Sequence, residues 1–230
     1  MTVALLIAAH GTRSPQGTAT TQALTEAVAR ARPDVPVSLC FLDVGAPSLR
    51  DALADGRPLI VVPLLLSAGY HLSTDIPEIV AGRAGVQVAR HLGPDPAIIA
   101  AVAERLAEAR SAERGTTSGA RSAERGTALA AIASSHASAR AEVDEAARLL
   151  ADGLGGPVAV LPLGGDVAAT VAALPEPTDV AAYLLAEGGF LTGLRNAMAG
   201  LGVVAEPIGV HPAVVALVWA RYDEAVERVR

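Results

Sequence analysis

Two histidines and an aspartate follow three apolar runs of the chain, close to the point where each run ends. His10 comes after the first run, Asp43 after the second, and His71 shortly after the third. Because the carboxyl ends of parallel strands meet at one edge of a sheet, we expect these side chains to converge. Neutral imidazole binds divalent first-row metals and accepts protons near neutral pH. The three groups therefore predict a site that holds a metal loosely or takes up protons, not a closed structural zinc site, which needs four protein ligands.

The turn after the first histidine is suited to binding an anion. Gly11, Thr12 and Arg13 stand between the first apolar run and a helical pattern. Backbone N–H groups at a helix N-terminus, together with an arginine, attract carboxylate or phosphate. A solvated turn is the alternative, and the spacing alone does not distinguish the two.

The elements that must position these residues alternate between strand and helix. In the first half we predict strands over 3–9, 35–42, 59–66 and 86–91, and helices over 20–31, 47–54, 74–82 and 96–110. This alternation indicates βαβ units and a parallel sheet. Pro63 interrupts the third strand, which predicts a bulge or an edge position there.

The same pattern restarts in the second half, which predicts an internal duplication. An apolar run over 129–135 ends at His136, as the first run ends at His10. Further strands are predicted over 157–163, 179–186 and 202–207, and helices over 139–150 and 212–228. Near the counterpart of His71 stands Phe190, so no pair of histidines survives. We predict an α/β fold of two similar domains with four-stranded parallel sheets around a cleft, and one active site, in the first domain.

A polar segment separates the two predicted domains. The heptapeptide Arg110–Thr116 recurs as Arg121–Thr127, and neither copy has an apolar face. We interpret 111–127 as a linker, partly helical or mobile. The domains are then 1–110, which carries the active site, and 128–230, which is degenerate.

The amino-acid composition excludes several classes of function for this protein. The 230 residues are 51% hydrophobic with a net charge of -6, and all 18 basic residues are arginine. Without lysine there is no Schiff-base chemistry and no P-loop, and without a basic run nucleic acid is a poor partner. The single cysteine, Cys40, excludes an internal disulfide and is expected to be buried. No run reaches the ~20 residues of a membrane helix. We expect a soluble, cytoplasmic protein, a monomer or weak homodimer without a membrane partner.

Three motifs together resemble the CbiX/SirB group of sirohydrochlorin chelatases. They are Ala9–Arg13, Cys40–Asp43 with Pro47–Leu49, and Val62–His71 with Asp75–Pro77. The resemblance covers residues 1 to about 110 closely, and the remainder is similar to the degenerate second half of the family's long form. It implies the class II chelatase fold, with two flavodoxin-like domains around a tetrapyrrole cleft.

The resemblance also implies a reaction and its residues. The family inserts Co²⁺ or Fe²⁺ into sirohydrochlorin without ATP, towards cobalamin or sirohaem, so that the metal is a substrate and no organic cofactor is needed. Its two catalytic histidines fall on His10 and His71, which would hold the metal together with Asp43. The family commonly has glutamate at this last position, and aspartate loses one methylene of reach. The implied substrate-binding residues are Gly11, Thr12, Arg13, Gly69 and Tyr70.

Two other functions stay open at this stage. A histidine phosphatase would also place a His-Gly pair after the first strand, but that chemistry needs an arginine before the histidine, where Ala9 stands. A non-catalytic carrier of a tetrapyrrole or a divalent metal would need the same ligands as a chelatase. Of the remaining histidines, His91 is expected to be structural and His211 to cap a helix or line a rim. His136 is interpreted as a relic of the duplication or as a neighbour of a helix N-cap.

Overall fold

The chain folds into two compact units whose boundaries do not follow chain order. The computed structural model describes residues 3–116, 125–174 and 177–228. Unit 1 comprises residues 1–93 and 210–230, and unit 2 comprises residues 94–209. Among the described residues, no helix combines the length and the apolar character that crossing a membrane requires.

Unit 1 is built on a parallel sheet of four strands in the order β2-β1-β3-β4. The strands are β1 (Ala4–Gly11), β2 (Val37–Val44), β3 (Leu59–Leu64) and β4 (Val86–Val88). Ile7 of β1 lies opposite Leu39 on one side and Val62 on the other. The inner strands are buried over Leu5–Ala9 of β1 and Leu59–Leu64 of β3, as expected of apolar runs in a sheet covered on both faces. The predicted four-stranded parallel sheet of the first half is confirmed.

Pro63 lies on an inner strand, opposite Ala8, so the predicted edge position or bulge at this residue is wrong. In a strand, the backbone N–H and C=O groups of every second residue point towards the same neighbouring strand. The carbonyl of Val61 points towards the β4 side, where it accepts from the N–H of Ala89. Pro63 faces that same side, where β4 has already ended. Because Pro63 has no N–H to donate, the hydrogen bonds on this side pass from Val61 directly to Leu65, whose carbonyl accepts from the N–H of Leu92.

Helices of unequal length connect the strands of unit 1. Helix α1 (Pro15–Ala31) begins earlier than predicted because the hydroxyl of Ser14 accepts from the N–H of Gly17 and proline fits the first helical position. Helix α2 (Leu49–Ala52) begins with a capping box. Helix α3 (Ile76–Val80) follows a single π-helical turn.

The last helix of the chain, α8 (Pro212–Glu227), completes unit 1 and packs against α1 and β3. Its indole Trp219 is buried and donates from Nε1 to the carbonyl oxygen of Val28 at 3.1 Å. Arg32 lies over the same indole and forms two hydrogen bonds with Asp223, at 2.7 and 2.6 Å.

Within residues 94–116, 125–174 and 177–209, unit 2 has three strands where four were predicted. They are β5 (Gly126–Ile132), β6 (Val158–Leu163) and β7 (Thr178–Ala182), in the order β6-β5-β7. The predicted strand over 202–207 is reduced to one parallel bridge between Val180 and Val204. Gly202 lies so close to β7 that a Cβ there would be 2.0 Å from the carbonyl oxygen of Thr178, and Pro207 has no N–H to donate. The segment therefore touches the sheet without continuing along it.

The helices of unit 2 are α4 (Pro96–Thr116), α5 (Ala137–Leu154), α6 (Val167–Ala172) and α7 (Gly189–Ala197). Helix α4 buries Ile98, Val102 and Leu106 at helical spacing and packs against α5 and β7. The units therefore differ from the predicted division at residue 110, since α4 belongs to unit 2 and α8 to unit 1. The physical reason is that an apolar helix face must be buried, but its pattern does not specify which sheet buries it.

The two ends of the duplicated heptapeptide segment converge on one buried carboxylate. Asp179, 1% exposed, accepts from Nε of Arg110 at 2.8 Å and from Nη1 of Arg125 at 3.0 Å. Burial acts to raise the pKa of Asp179, but the hydrogen bonds from Arg110, the N–H of Val203 and Arg125 outweigh it and hold the pKa below its ordinary value. Of the predicted linker, the first residues up to 116 are helical, and residues 117–124 lie outside the described part.

Candidate functional site

The sheet of unit 1 brings His10 and His71 into contact, as the sequence predicts. His10 is exposed near the carboxyl end of β1, and His71 follows β3, the neighbouring strand. The ring centroids are 4.7 Å apart, and the planes are inclined at 84°. Two imidazoles at this distance form an open pair of nitrogen donors at the edge of the sheet.

A close approach of two strands positions the first histidine. The register between β1 and β2 shifts between Ala9 and Gly11, with His10 at the irregularity. Gly11 has a φ of +94°, and a Cβ there would be 1.8 Å from the carbonyl oxygen of Val44. Only glycine fits this position. The shift ends the buried run of β1 and leaves His10 exposed.

A single π-helical turn, His71–Asp75, positions the second histidine. Nδ1 of His71 lies 2.6 Å from Oδ2 of Asp75, and the two side chains are 21% and 28% exposed. A neutral histidine must donate Nδ1–H to this carboxylate, which leaves the lone pair on Nε2. The helical segment predicted over 74–82 thus begins earlier, with the π-helical turn at His71 that precedes α3, and Asp75 has a partner that the sequence analysis did not identify. The spacing of four residues on a helical turn was the available signal.

Nδ1 of His10, like Nδ1 of His71, has a hydrogen-bond acceptor. Nδ1 of His10 lies 3.2 Å from the carbonyl oxygen of Gly11. With Nδ1–H as the donor, His10 also carries its lone pair on Nε2. Both rings therefore offer one Nε2 donor each, and a metal held by two imidazoles keeps open coordination positions.

Asp43 does not join the histidines as a third ligand. It is exposed at the carboxyl end of β2, on the other side of β1 from β3. Over the described ranges, no group of three or more His, Cys, Asp or Glu side chains is arranged to hold a metal ion. The predicted three-residue site of His10, His71 and Asp43 is thus not formed, in keeping with the shorter reach of aspartate.

The residues predicted to bind the substrate lie beside the histidine pair in the chain, at the same edge of the sheet. In the turn before α1, the hydroxyl of Thr12 accepts from the N–H of Ser14 at 3.1 Å, and Arg13 is exposed. Next to His71, the phenol ring of Tyr70 is 56% exposed. The carbonyl oxygen of Gly69 accepts from the N–H groups of Leu72 and Ser73, in the π-helical turn. The role of these residues in binding stays a prediction.

Unit 2 has lost the equivalent chemistry. The run Gly189–Leu191 at the start of α7 is similar in sequence to Gly69–His71, so Leu191 stands in the place of His71, directly after Phe190, and is fully buried. The position equivalent to Asp75 is Arg195, which pairs with Glu187 at 3.0 Å and with Glu206 at 2.8 Å.

The three other histidines have structural positions. His136 precedes α5 as its N-cap residue without a capping side-chain bond. His211 caps α8, because its Nδ1 accepts from the N–H of Ala213 at 3.2 Å. The carbonyl oxygen of His91 accepts from Arg221.

Comparison with known proteins supports the resemblance that the motifs predict. Residues 4–109 match the CbiX family model. A sirohydrochlorin cobaltochelatase from Methanococcoides burtonii is 30% identical over 83 residues, which are 34% of this chain and 63% of that protein. The chain thus matches less than two thirds of the length of this relative.

Two solved structures share the fold over nearly the whole chain. Sirohydrochlorin chelatase SirB from Bacillus subtilis subspecies spizizenii, in complex with cobalt, has a TM-score of 0.77 and 23% identity, covering 99% of this chain and 97% of its own. CbiX, the terminal enzyme of sirohaem biosynthesis in denitrifying bacteria, has a TM-score of 0.68 and 22% identity, covering 99% of both chains. Residues 4–109, which contain the histidine pair, therefore match the CbiX family, and the chain has the fold of the SirB and CbiX structures.

Proposed function

We propose that this protein is a sirohydrochlorin chelatase, which inserts Co²⁺ or Fe²⁺ into the macrocycle without ATP. The observation that carries the proposal is the contact between His10 and His71, with ring centroids 4.7 Å apart. It is supported by the CbiX family match over the segment that holds both residues and by the similarity to a cobaltochelatase. In this proposal the metal is a substrate that enters the site and leaves in the product.

The histidine pair would hold the incoming ion through Nε2 of each ring, because Nδ1 of each ring is engaged with an acceptor. Two protein ligands leave most coordination positions open to water and then to the pyrrole nitrogens. Such a site binds the ion weakly enough to release it. A complete set of protein ligands would compete with the product.

The same two histidines would also accept the protons that metal insertion releases. When a divalent ion enters the free macrocycle, two pyrrole N–H bonds break and two protons must leave. As each metal–nitrogen bond to His10 or His71 breaks, the lone pair of that Nε2 becomes available to accept a proton. Neutral imidazole accepts protons near neutral pH and is an effective general base for this step. Two histidines therefore match two protons, and both are assigned as catalytic.

The substrate would be held through its carboxylates and its ring. The side chain of Arg13, exposed in the turn after Gly11, is suited to binding carboxylates. The exposed ring of Tyr70 offers an apolar face against which the macrocycle can stack. These contacts would bring the pyrrole nitrogens towards the histidine pair.

Turnover tests this proposal and separates it from a carrier function. Purified protein is mixed with sirohydrochlorin and Co²⁺, or with Fe²⁺ under anaerobic conditions, and the absorption spectrum of the macrocycle is followed. We expect insertion faster than with metal alone, and loss of the acceleration in His10→Ala and in His71→Ala. His136→Ala is the matched control and keeps the wild-type rate. Binding of metal or tetrapyrrole without any acceleration would contradict the proposal and support a carrier.

A further inference from the structure

We propose that Asp75 is a positioning residue, which holds His71 in the tautomer with the proton on Nδ1 and thereby keeps the metal-binding lone pair on Nε2. Its importance for metal insertion rests on the proposed function. Its effect on the tautomer does not. The geometry behind it is the distance of 2.6 Å between Nδ1 of His71 and Oδ2 of Asp75.

The local backbone fixes this contact. Both residues belong to one π-helical turn, a rare conformation that occurs frequently at functional sites. The next residue, Ile76, is 1% exposed and anchors the end of the turn in the core of unit 1. The backbone that carries Asp75 is therefore held in place by packing. Its carboxylate oxygen contacts the imidazole of His71, and both side chains are less than one third exposed.

The chemistry of the partner decides the tautomer. A carboxylate can only accept a hydrogen bond, so a neutral His71 must place its proton on Nδ1. A hydrogen bond to a charged acceptor is also roughly twice as strong as one between neutral groups. Carboxylates that orient a ligating imidazole in this way raise its basicity as a ligand.

The two histidines are therefore not equivalent. The acceptor for Nδ1 of His10 is the neutral carbonyl of Gly11, at 3.2 Å, and the ring of His10 is exposed. The acceptor for His71 is charged, closer and partly buried. From this difference we expect His71 to be the more firmly oriented donor of the pair.

The direct test is the protonation state of the His71 ring in protein without metal or substrate. Nitrogen-15 NMR distinguishes a ring nitrogen that carries a proton from one that carries a lone pair. In the wild-type protein we expect neutral His71 as the Nδ1–H form. Asp75→Asn keeps the shape but can accept or donate, so the Nε2–H form should appear, and Asp75→Ala should show it too. Glu78→Gln removes an exposed carboxylate three residues further on and is the matched control, with an unchanged spectrum.

Binding of Co²⁺ in the absence of sirohydrochlorin gives an independent readout. Loss of an outer carboxylate of this type lowers metal affinity by on the order of 10–100-fold, which we expect for Asp75→Asn and Asp75→Ala. Asp75→Glu keeps an acceptor and should recover part of that affinity, while Glu78→Gln should bind as the wild type does.

The outcomes separate this inference from the proposed function. If the wild-type protein shows the Nε2–H form, or if both substitutions of Asp75 leave tautomer and Co²⁺ affinity unchanged, the positioning role is overturned, even if the enzyme turns over. If the substitutions shift both properties but the wild-type protein shows no metal insertion, the positioning role holds and the chelatase proposal fails.

Discussion

Replacing Gly11 with alanine tests how the sheet creates the site. The φ of +94° costs an L-residue roughly 1–2 kcal/mol. The added Cβ would be 1.8 Å from the carbonyl oxygen of Val44, and only separation of β1 from β2 relieves that clash. Each ladder hydrogen bond lost in that separation costs about 1 kcal/mol. The expected loss in the free energy of unfolding is therefore about 2–4 kcal/mol, and His10 should move away from His71.

The assay is urea unfolding followed by the fluorescence of Trp219, the one tryptophan of the chain, which is buried in the same unit as Gly11. With a urea dependence of about 2 kcal/mol per molar, the midpoint should fall by roughly 1–2 M. The matched control for stability is Gly69→Ala, because Gly69 lies at the same edge and a Cβ there would meet nothing within 4 Å. A midpoint for Gly11→Ala within experimental error of the wild type would refute the close approach of β1 to β2.

Two further predictions concern buried groups away from the site. Asp179→Asn removes the charge shared by Arg110 and Arg125 and should lower the stability of unit 2 by about 2–4 kcal/mol in calorimetry at neutral pH. Because the pKa of Asp179 is lower in the folded chain than its ordinary value, its stabilisation is present above about pH 4 and is lost as the pH falls through the folded value. An equal acid sensitivity of wild type and variant below pH 4 would contradict this. Burial raises the pKa of the Cys40 thiol to about 12, so alkylation at pH 8 should require unfolding, and rapid labelling of the native protein would disprove its burial.

The sequence was sufficient for the histidine pair because the required geometry is a general property of parallel sheets. His10 and His71 follow apolar runs, and the carboxyl ends of adjacent strands lie together whatever the details of packing. The same reasoning placed Asp43 with them, and there it failed. Convergence at a sheet edge fixes the strand ends to within a few ångströms, whereas ligation depends on the length and direction of a side chain.

Other features depend on contacts that a local pattern does not encode. The apolar faces of α4 and α8 indicate that both helices are buried, but not that each one covers the sheet of the other half. The apolar stretch over 202–207 satisfies the criteria for a strand, and the tight contact of Gly202 with Thr178 limits it to a bridge. Likewise, the spacing of four residues between His71 and Asp75 is visible in the sequence, but no hydrophobic periodicity identifies the single π-helical turn that brings the two side chains together.

The most direct test of the central claim is a crystal structure of the protein soaked with Co²⁺, with cobalt located by its anomalous scattering. We expect one cobalt ion at the edge of the unit 1 sheet, with Nε2 of both His10 and His71 at about 2.1 Å, close to the distances of imidazole ligands to zinc. Cobalt bound elsewhere, cobalt held by Nδ1, or cobalt held by one of the two rings alone would contradict it.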